Sequence, residues 1–269
     1  ACVLVTAGLA AALLGLGLSR TPAQAWTPSD PPNQPIGMAR GIFPGRVVWI
    51  HDPEATSWDM AGGTYWWQDA SNDQARIDVM MAKSICWLVG RKEGQEEQAW
   101  DDLFRHFNGG APYAAGEKVA VKLNMNNCSS QNSTGGNLGN PSPHVVLALL
   151  RQLVNKGHVA QSDITLYDAS RYISSPVYNK CDGEFPDVHY ADKGGGSGRE
   201  AVVKDDSVAV WYSGTEPDKP PYSGETRLPT CLTQAKYFIN CGLLKGHNLA
   251  GVTFTTKNLF GSIWRNGSW

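Results

Sequence analysis

The chain has 269 residues, of which 42% are hydrophobic and 18% charged, with a formal net charge of −2. A near-neutral balance without a lysine or arginine run gives no support to a nucleic-acid groove or an anionic membrane surface, so any cationic function has to be local. Length alone admits one large domain or two small ones, with ample material for a core.

The first feature in chain order is an apolar run of small residues, Val3 to Leu18, followed by Ser19, Arg20 and Pro22-Ala23-Gln24-Ala25. An apolar run closed by Ala-x-Ala just before Trp26 is the pattern of a secretory signal cut after Ala25. The rival is a membrane anchor, but the run is slightly short for a span of ~20 residues. The chain starts at Ala1 without a basic stretch before the run, so Sec and twin-Arg export are not distinguished. Cys2 precedes the run instead of ending it, which argues against a lipidated cysteine. The expectation is an exported protein, periplasmic or extracellular, without a stable membrane span after cleavage. Residues 26–45 are expected as a lead-in and 46–269 as a single α/β domain.

Thr27 to Pro35 is proline-rich and polar, an extended segment with no core of its own. Arg46 to His51 (RVVWIH), closed by Asp52-Pro53, predicts a first strand. Trp58, Tyr65, Trp66 and Trp67 fall in a loop that follows. Asp73 to Leu88 carries Ile77, Met80, Met81, Ser84, Ile85 and Leu88 at helical spacing, and Glu96 to Phe107 repeats the pattern with Ala99, Trp100, Leu103, Phe104 and Phe107. Lys118 to Asn124 (KVAVKLN) reads as a strand that ends in polar residues. Ser142 and Pro143 open a helix whose face is Val145, Val146, Leu149, Leu150, Leu153 and Val154, with Gly157 at its stop. Asp163 to Asp168 (DITLYD) is the next strand, which completes a βαβ unit. A further strand lies within Phe185 to Ala191. The glycines of Gly194 to Gly198 lack the order of a phosphate-binding loop. Pro217 to Leu228 reads as exposed. Lys236 to Cys241 reads as a buried strand and Leu249 to Ile263 as a helix. Strands alternating with helices predict an α/β fold on a mostly parallel sheet with flanking helices.

Cys86, Cys128, Cys181, Cys231 and Cys241 are an odd set with no C-x-x-C or C-x-x-H spacing. Export would permit disulfides, but spacing does not give their pairing, and a cysteine-held zinc or iron-sulfur centre is not expected. No G-x-S-x-G is present to mark a serine nucleophile. Asn132-Ser133-Thr134 and Asn266-Gly267-Ser268 match glycosylation acceptors, at a frequency that chance accounts for.

Ligands of open α/β sheets bind outside the carboxyl ends of the strands. That rule collects His51 and Asp52, then Lys122 and Asn124, then Asp168, Ser170 and Arg171, and last Lys245, His247 and Asn248. Lys257 and Asn258 follow close behind. Cations outnumber carboxylates in this set, which favours a small anion held by lysine charges and an arginine fork. Crowding of Lys122, Lys245 and Lys257 would depress a lysine pKa and make that amine a base or a Schiff-base nucleophile. Each residue also has a plain structural alternative. Lys122 could be a solvated flank, His247 a cap, Asn258 a loop staple, and Asp168 a partner for Arg171. A metal held by His51, Asp52, Asp168 and His247 is the rival chemistry; without H-x-H or H-x-x-x-H spacing, no metal ligand is assigned.

At Val119 to Asn124 (VAVKLN), Asp163 to Arg171 (DITLYDASR) and Ile239 to Gly261 (INCGLLKGHNLAGVTFTTKNLFG), the chain resembles the domain of unknown function 362 family. The shared features are V-x-K-x-N, at Lys122 and Asn124, then L-K-x-H, at Lys245 and His247. A K-N-x-F-G segment follows, at Lys257, Asn258, Phe260 and Gly261. The resemblance implies no settled activity. Some relatives carry ferredoxin-type cysteine runs, which this chain lacks, so no cofactor is assigned. Similar members are bacterial, exported, and continue beyond K-N-x-F-G, so the chain is expected to be truncated at both ends.

The expected function is an exported enzyme of undetermined reaction that holds a small anionic molecule. Lys245, His247, Lys257 and Asp168 form the expected catalytic set, and Lys122, Asn124, Arg171, Asn248 and Asn258 the ligand-binding set. The alternatives are a binding protein without turnover and a redox-associated protein.

Overall fold

A computed structural model describes residues 38–61, 63–134, 139–210, 226–249 and 251–265. The apolar leader, the Thr27 to Pro35 segment, most of Pro217 to Leu228 and the Asn266 acceptor lie outside the described residues. In chain order the elements begin with helices α1 (Gln74–Leu88) and α2 (Glu96–Phe107), then strand β1 (Lys118–Leu123), α3 (Pro143–Asn155), β2 (Ile164–Tyr167) and α4 (Ser175–Asp182). Strands β3 (His189–Asp192), β4 (Glu200–Ala201), β5 (Lys204–Ala209) and β6 (Thr226–Pro229) follow, with the short helix α5 (Thr230–Thr233). The last part holds β7 (Ala235–Cys241), β8 (Lys245–His247), β9 (Gly251–Thr253), α6 (Thr255–Phe260) and β10 (Trp264–Arg265).

Val119, Ala120, Val121 and Leu123 make β1 almost continuously apolar, as suits a strand covered on both faces, and all four are buried. Around it runs a five-stranded parallel sheet in the order β4-β3-β2-β1-β7. The α/β fold with a parallel sheet and flanking helices is thus the observed one. From β1 the chain steps outward through β2 and β3 to β4, then returns to the other side of β1 with β7. A reversal of this kind opens a crevice at the carboxyl ends of the two strands that flank it.

Pro143 takes the first turn of α3, where its missing N–H costs nothing. Val146, Leu149, Leu150 and Leu153 pack into the main core with Val119, Val121, Ile164 and Leu166. Ala148 turns instead toward Ile77 of α1, so α3 is covered on two sides and its apolar face is wider than the spacing predicts. Val145 is the exception, exposed at the surface. Ser142 stands at the N-cap position, but its hydroxyl makes no cap hydrogen bond. In α1, by contrast, Asp73 caps through the N–H of Arg76 at 3.1 Å.

Two expected elements are corrected. Arg46 to His51 is not a strand. Val47 and Trp49 are 87% and 76% exposed, and no sheet edge is paired with the segment, so its β-forming residues have no ladder to complete. The second is Leu249 to Ile263, which is not one helix. Lys245, Gly246 and His247 pair antiparallel with Thr253, Val252 and Gly251, and only six residues after that hairpin are helical. Gly251 has φ +69°, a conformation that ends a helix and that glycine reaches without strain. Strand β7 lies at the sheet edge and is only partly buried, with Phe238 40% exposed. The last residues of the Pro217 to Leu228 stretch enter β6.

All five cysteines of the described residues are free. Burial pushes the Cys128 and Cys241 thiols up to about 11, which leaves essentially no thiolate at neutral pH. No helix of the described residues is long and apolar enough to cross a membrane.

Candidate functional site

Lys122 ends the buried part of β1 with its ammonium enclosed, 1% exposed. A buried ammonium needs an acceptor for each of its three donors and a counter-charge. It finds them in the Leu123 carbonyl, Asp168 Oδ2 at 2.9 Å and Asn258 Oδ1 at 3.2 Å. Asp168, just past the end of β2, is enclosed as well. Its Oδ2 also accepts the Met125 N–H, and its Oδ1 accepts the N–H and hydroxyl of Ser170 and the N–H of Arg171. The pair therefore cancels its own charge and fixes the loops that follow β1 and β2.

Asn258 of α6 joins this network from the other side. Its Nδ2 donates to the Lys122 carbonyl at 3.1 Å and to Asn240 Oδ1 at 2.7 Å, while Asn240 donates to the Thr255 carbonyl. The start of α6 is thereby stitched to β1 and β7. Gly261 closes the same corner, since a Cβ there would sit 3.0 Å from Lys122 Nζ and 3.2 Å from Ser170 Oγ.

Above this network, at the carboxyl ends of β1 and β2 and under the β8–β9 hairpin, is a cleft of about 250 Å³. Asn124, Arg171, His247, Thr253 and Lys257 line it beside Lys122, Asp168 and Asn258. Among the described residues, Asp168 is the only carboxylate in the lining, and it is occupied by Lys122. The Arg171 guanidinium donates to two neutral carbonyls, of Asn126 at 3.1 Å and Ser170 at 3.3 Å. Neither Arg171 nor Lys257 has a carboxylate partner among the described residues. Among the described residues, the lining therefore carries a positive charge without a counter-charge. His247 Nδ1 accepts the Leu249 N–H at 3.1 Å, which puts the proton of the neutral ring on Nε2.

Asn124 and Thr253 are each 4% exposed. The Thr253 Oγ1 is buried and lacks a hydrogen-bond partner among the described residues. Buried polar atoms of this kind are normally satisfied.

The structure brings together eight residues expected from the sequence: Lys122, Asn124, Asp168, Ser170, Arg171, His247, Lys257 and Asn258. Lys245 and Asn248 are outside the lining. Lys245 faces Thr253 across the hairpin and donates to the Gly139 carbonyl at 3.1 Å. Burial first, and the charge of Lys257 second, hold its pKa below the usual lysine value. Asn248 is exposed at the hairpin turn. His51 and Asp52 do not reach the cleft either, because the strand expected to carry them is absent. Asp52 instead binds Arg76 at 3.0 Å. Asp168 pairs with Lys122, not with the Arg171 guanidinium. Sequence reasoning missed Thr253, hidden inside the expected helix, and Asn240, a polar residue near the end of an apolar strand. Among the described residues, no group of three or more His, Cys, Asp or Glu is arranged to hold a metal ion.

The fold and the site define an α/β protein whose parallel sheet carries a small, positively lined cleft at its switch point. Residues 119–269 match the family described as Domain of unknown function (DUF362), over more than half of the chain, and the chain belongs to that family. No curated protein and no solved structure matches it.

Proposed function

We propose that the chain is an exported α/β enzyme that holds a small anionic ligand, a carboxylate or a phosphate, in the switch-point cleft. The observation that supports this most is the charge of the lining. Arg171 and Lys257 remain without a carboxylate among the described residues, because Asp168 is taken by Lys122. Two unit charges 4 Å apart attract by about 4 kcal/mol at an effective dielectric of 20, so an anion entering this cleft is strongly favoured over a neutral molecule of the same shape. The guanidinium plane of Arg171 suits the two oxygens of a carboxylate.

Turnover would draw on Lys245 and His247. Lys245 lies beside the cleft, outside its lining, and its lowered pKa makes it give up its proton more readily than an ordinary lysine, as a base or a carbonyl nucleophile requires. His247 stands at the cleft wall. A second reading, capture without turnover, is favoured by the Lys122–Asp168 pair, which is built as a fixed support rather than as a reacting group.

Isothermal titration with acetate and phosphate tests the anion site. Binding at one site per chain, weakened at least tenfold by Lys257→Ala or Arg171→Ala, is expected; binding unchanged by both substitutions defeats the reading. Trapping of a carbonyl compound on Lys245 by borohydride separates the enzyme from the capture protein. Export predicts a mature N-terminus at Trp26, read by intact mass of protein recovered from outside the cytoplasm.

A further inference from the structure

We infer that the outer edge of β7 is an interface between two copies of this chain, in which β7 pairs antiparallel with β7 of the second copy about a two-fold axis through Phe238.

The two edges of the central sheet are built differently. At one end β4 offers only Glu200 and Ala201, and so short an edge strand is a common protection against pairing with other chains. At the other end β7 runs for seven residues, and among the described residues it pairs with β1 alone. Alternate residues of such an edge strand turn their N–H and C=O groups outward, where they template a further strand. Lys236 to Asn240 line a groove of about 500 Å³, and Leu88 of α1 with Leu103 and Phe107 of α2 belong to its other wall.

Apolar surface is open here on both faces of the sheet. Tyr237 and Ile239 turn toward the main core, on the side of α1 and α2, where Leu88 and Phe107 remain 38% and 57% exposed. Strand alternation sends Phe238 to the opposite face, and it is 40% exposed. A flexible peptide could complete the ladder, but it would lose its backbone freedom on binding. The β7 strand of a second copy is already held by β1 and loses little more. A second copy also brings α1 and α2 to one face and Phe238 to the other, so the same patch covers itself, as a two-fold interface requires.

Register and charge agree with this arrangement. Phe238 is the central residue of β7, so an axis through it overlaps the whole strand. The two Phe238 rings then face each other, Tyr237 faces Ile239, and Lys236 faces Asn240. Aromatic side chains directly opposite each other stabilise an antiparallel pair, and like charges there destabilise it. Lys236 is the only charged residue of β7. With Lys236 opposite Asn240, the two lysines stand at least about 13 Å apart at ~3.3 Å per residue, beyond the ~8 Å screening length of physiological salt. An axis through Lys236 would instead set the two ammonium groups against each other.

Sedimentation equilibrium of the full chain tests the interface, and a reversible dimer is expected. Phe238→Lys sets two like charges opposite each other and should weaken self-association at least about tenfold, as should Phe107→Glu at the groove wall. Register is read by cross-linking. Opposed Cα atoms of antiparallel strands stand about 4.5–5.5 Å apart, within the ~4.4–6.8 Å that a disulfide spans. Phe238→Cys should therefore give a disulfide-linked dimer under mild oxidation, above the level of the unsubstituted chain, and Lys236→Cys should not. If Phe238→Lys fails to fold, Phe107→Glu and the cross-linking pair decide. A monomer at the highest soluble concentration, whether or not it takes an extended peptide along β7, overturns the assignment. So does a dimer that survives both substitutions, or cross-linking through Lys236→Cys as readily as through Phe238→Cys.

Discussion

Lys122 and Asp168 stand at the base of the cleft with 1% and 2% of their side chains exposed, each the counter-charge of the other. Removing one partner leaves a charge that the interior cannot solvate. Lys122→Met or Asp168→Asn is therefore expected to cost about 3–5 kcal/mol, read as a lower urea midpoint. The double replacement Lys122→Met/Asp168→Leu should cost less than the two singles added together, since it leaves no orphaned charge. Gly261→Ala gives a gentler test of the same corner. Its φ of −77° suits alanine, so the 3.0 Å approach of the new methyl to Lys122 Nζ is the whole effect. Overpacking of this sort costs about 1–3 kcal/mol and should weaken anion binding by shifting Ser170. Lys245 makes a further residue-level prediction. Burial and Lys257 lower its pKa, so an amine-selective reagent at pH 8 should label it faster than it labels Lys257. Lys257→Met should then slow that labelling, and an unchanged rate would remove the coupling between the two amines.

At the level of elements, the start of β2 is tied to the start of β1 by one carboxylate. Asp163, 5% exposed, accepts from the Tyr113 hydroxyl at 2.6 Å, the Gly116 N–H at 2.7 Å and Lys118 Nζ at 2.7 Å. Burial pushes its pKa up, but these bonds, led by Lys118 and Tyr113, more than offset that and hold it below the ordinary value. The folded state thus takes up this proton at lower pH than the unfolded chain does. The stabilisation is present above about pH 4 and is lost as pH falls through the folded value. Asp163→Asn should flatten the acid limb of the stability profile below pH 4, as measured by urea unfolding at several pH values; an unchanged acid limb would assign that limb to other carboxylates.

The elements also show what a sequence can and cannot convey. Helices α1, α2 and α3 were legible because an apolar face recurs at 3.6 residues, and β1 because its apolar run is short and bounded. Arg46 to His51 has the composition of a strand, but whether a partner strand is available is a tertiary fact that composition does not carry. In Leu249 to Ile263 the spacing fits a helix, while Gly251 and the pairing of Lys245 with Thr253 enforce a hairpin.

At the scale of the whole molecule, the placement of β7 beside β1 decides where the site is. Sequence order lists β7 far from β1, and only the sheet order reveals that the two are neighbours, so that the segment after β7 can line the cleft at the ends of β1 and β2 with His247, Thr253 and Lys257. The rule that ligands gather at strand ends found Lys122, Asn124, Asp168, Arg171 and His247 without that knowledge. It could not foresee that Lys122 and Asp168 cancel each other, because two residues 46 positions apart have no sequence signature of pairing. It gave no sign of Thr253 either. What remains after the cancellation is a cleft lined by Arg171 and Lys257, whose attraction for an anion should fade as added salt shortens the screening length from ~10 Å at 0.1 M toward ~3 Å at 1 M.

Anomalous diffraction from crystals soaked in selenate locates that attraction directly. A selenium peak between the Arg171 guanidinium and the Lys257 ammonium, absent in crystals of Lys257→Ala, is the predicted result. An empty cleft, with selenate bound elsewhere on the same molecule, would contradict the account.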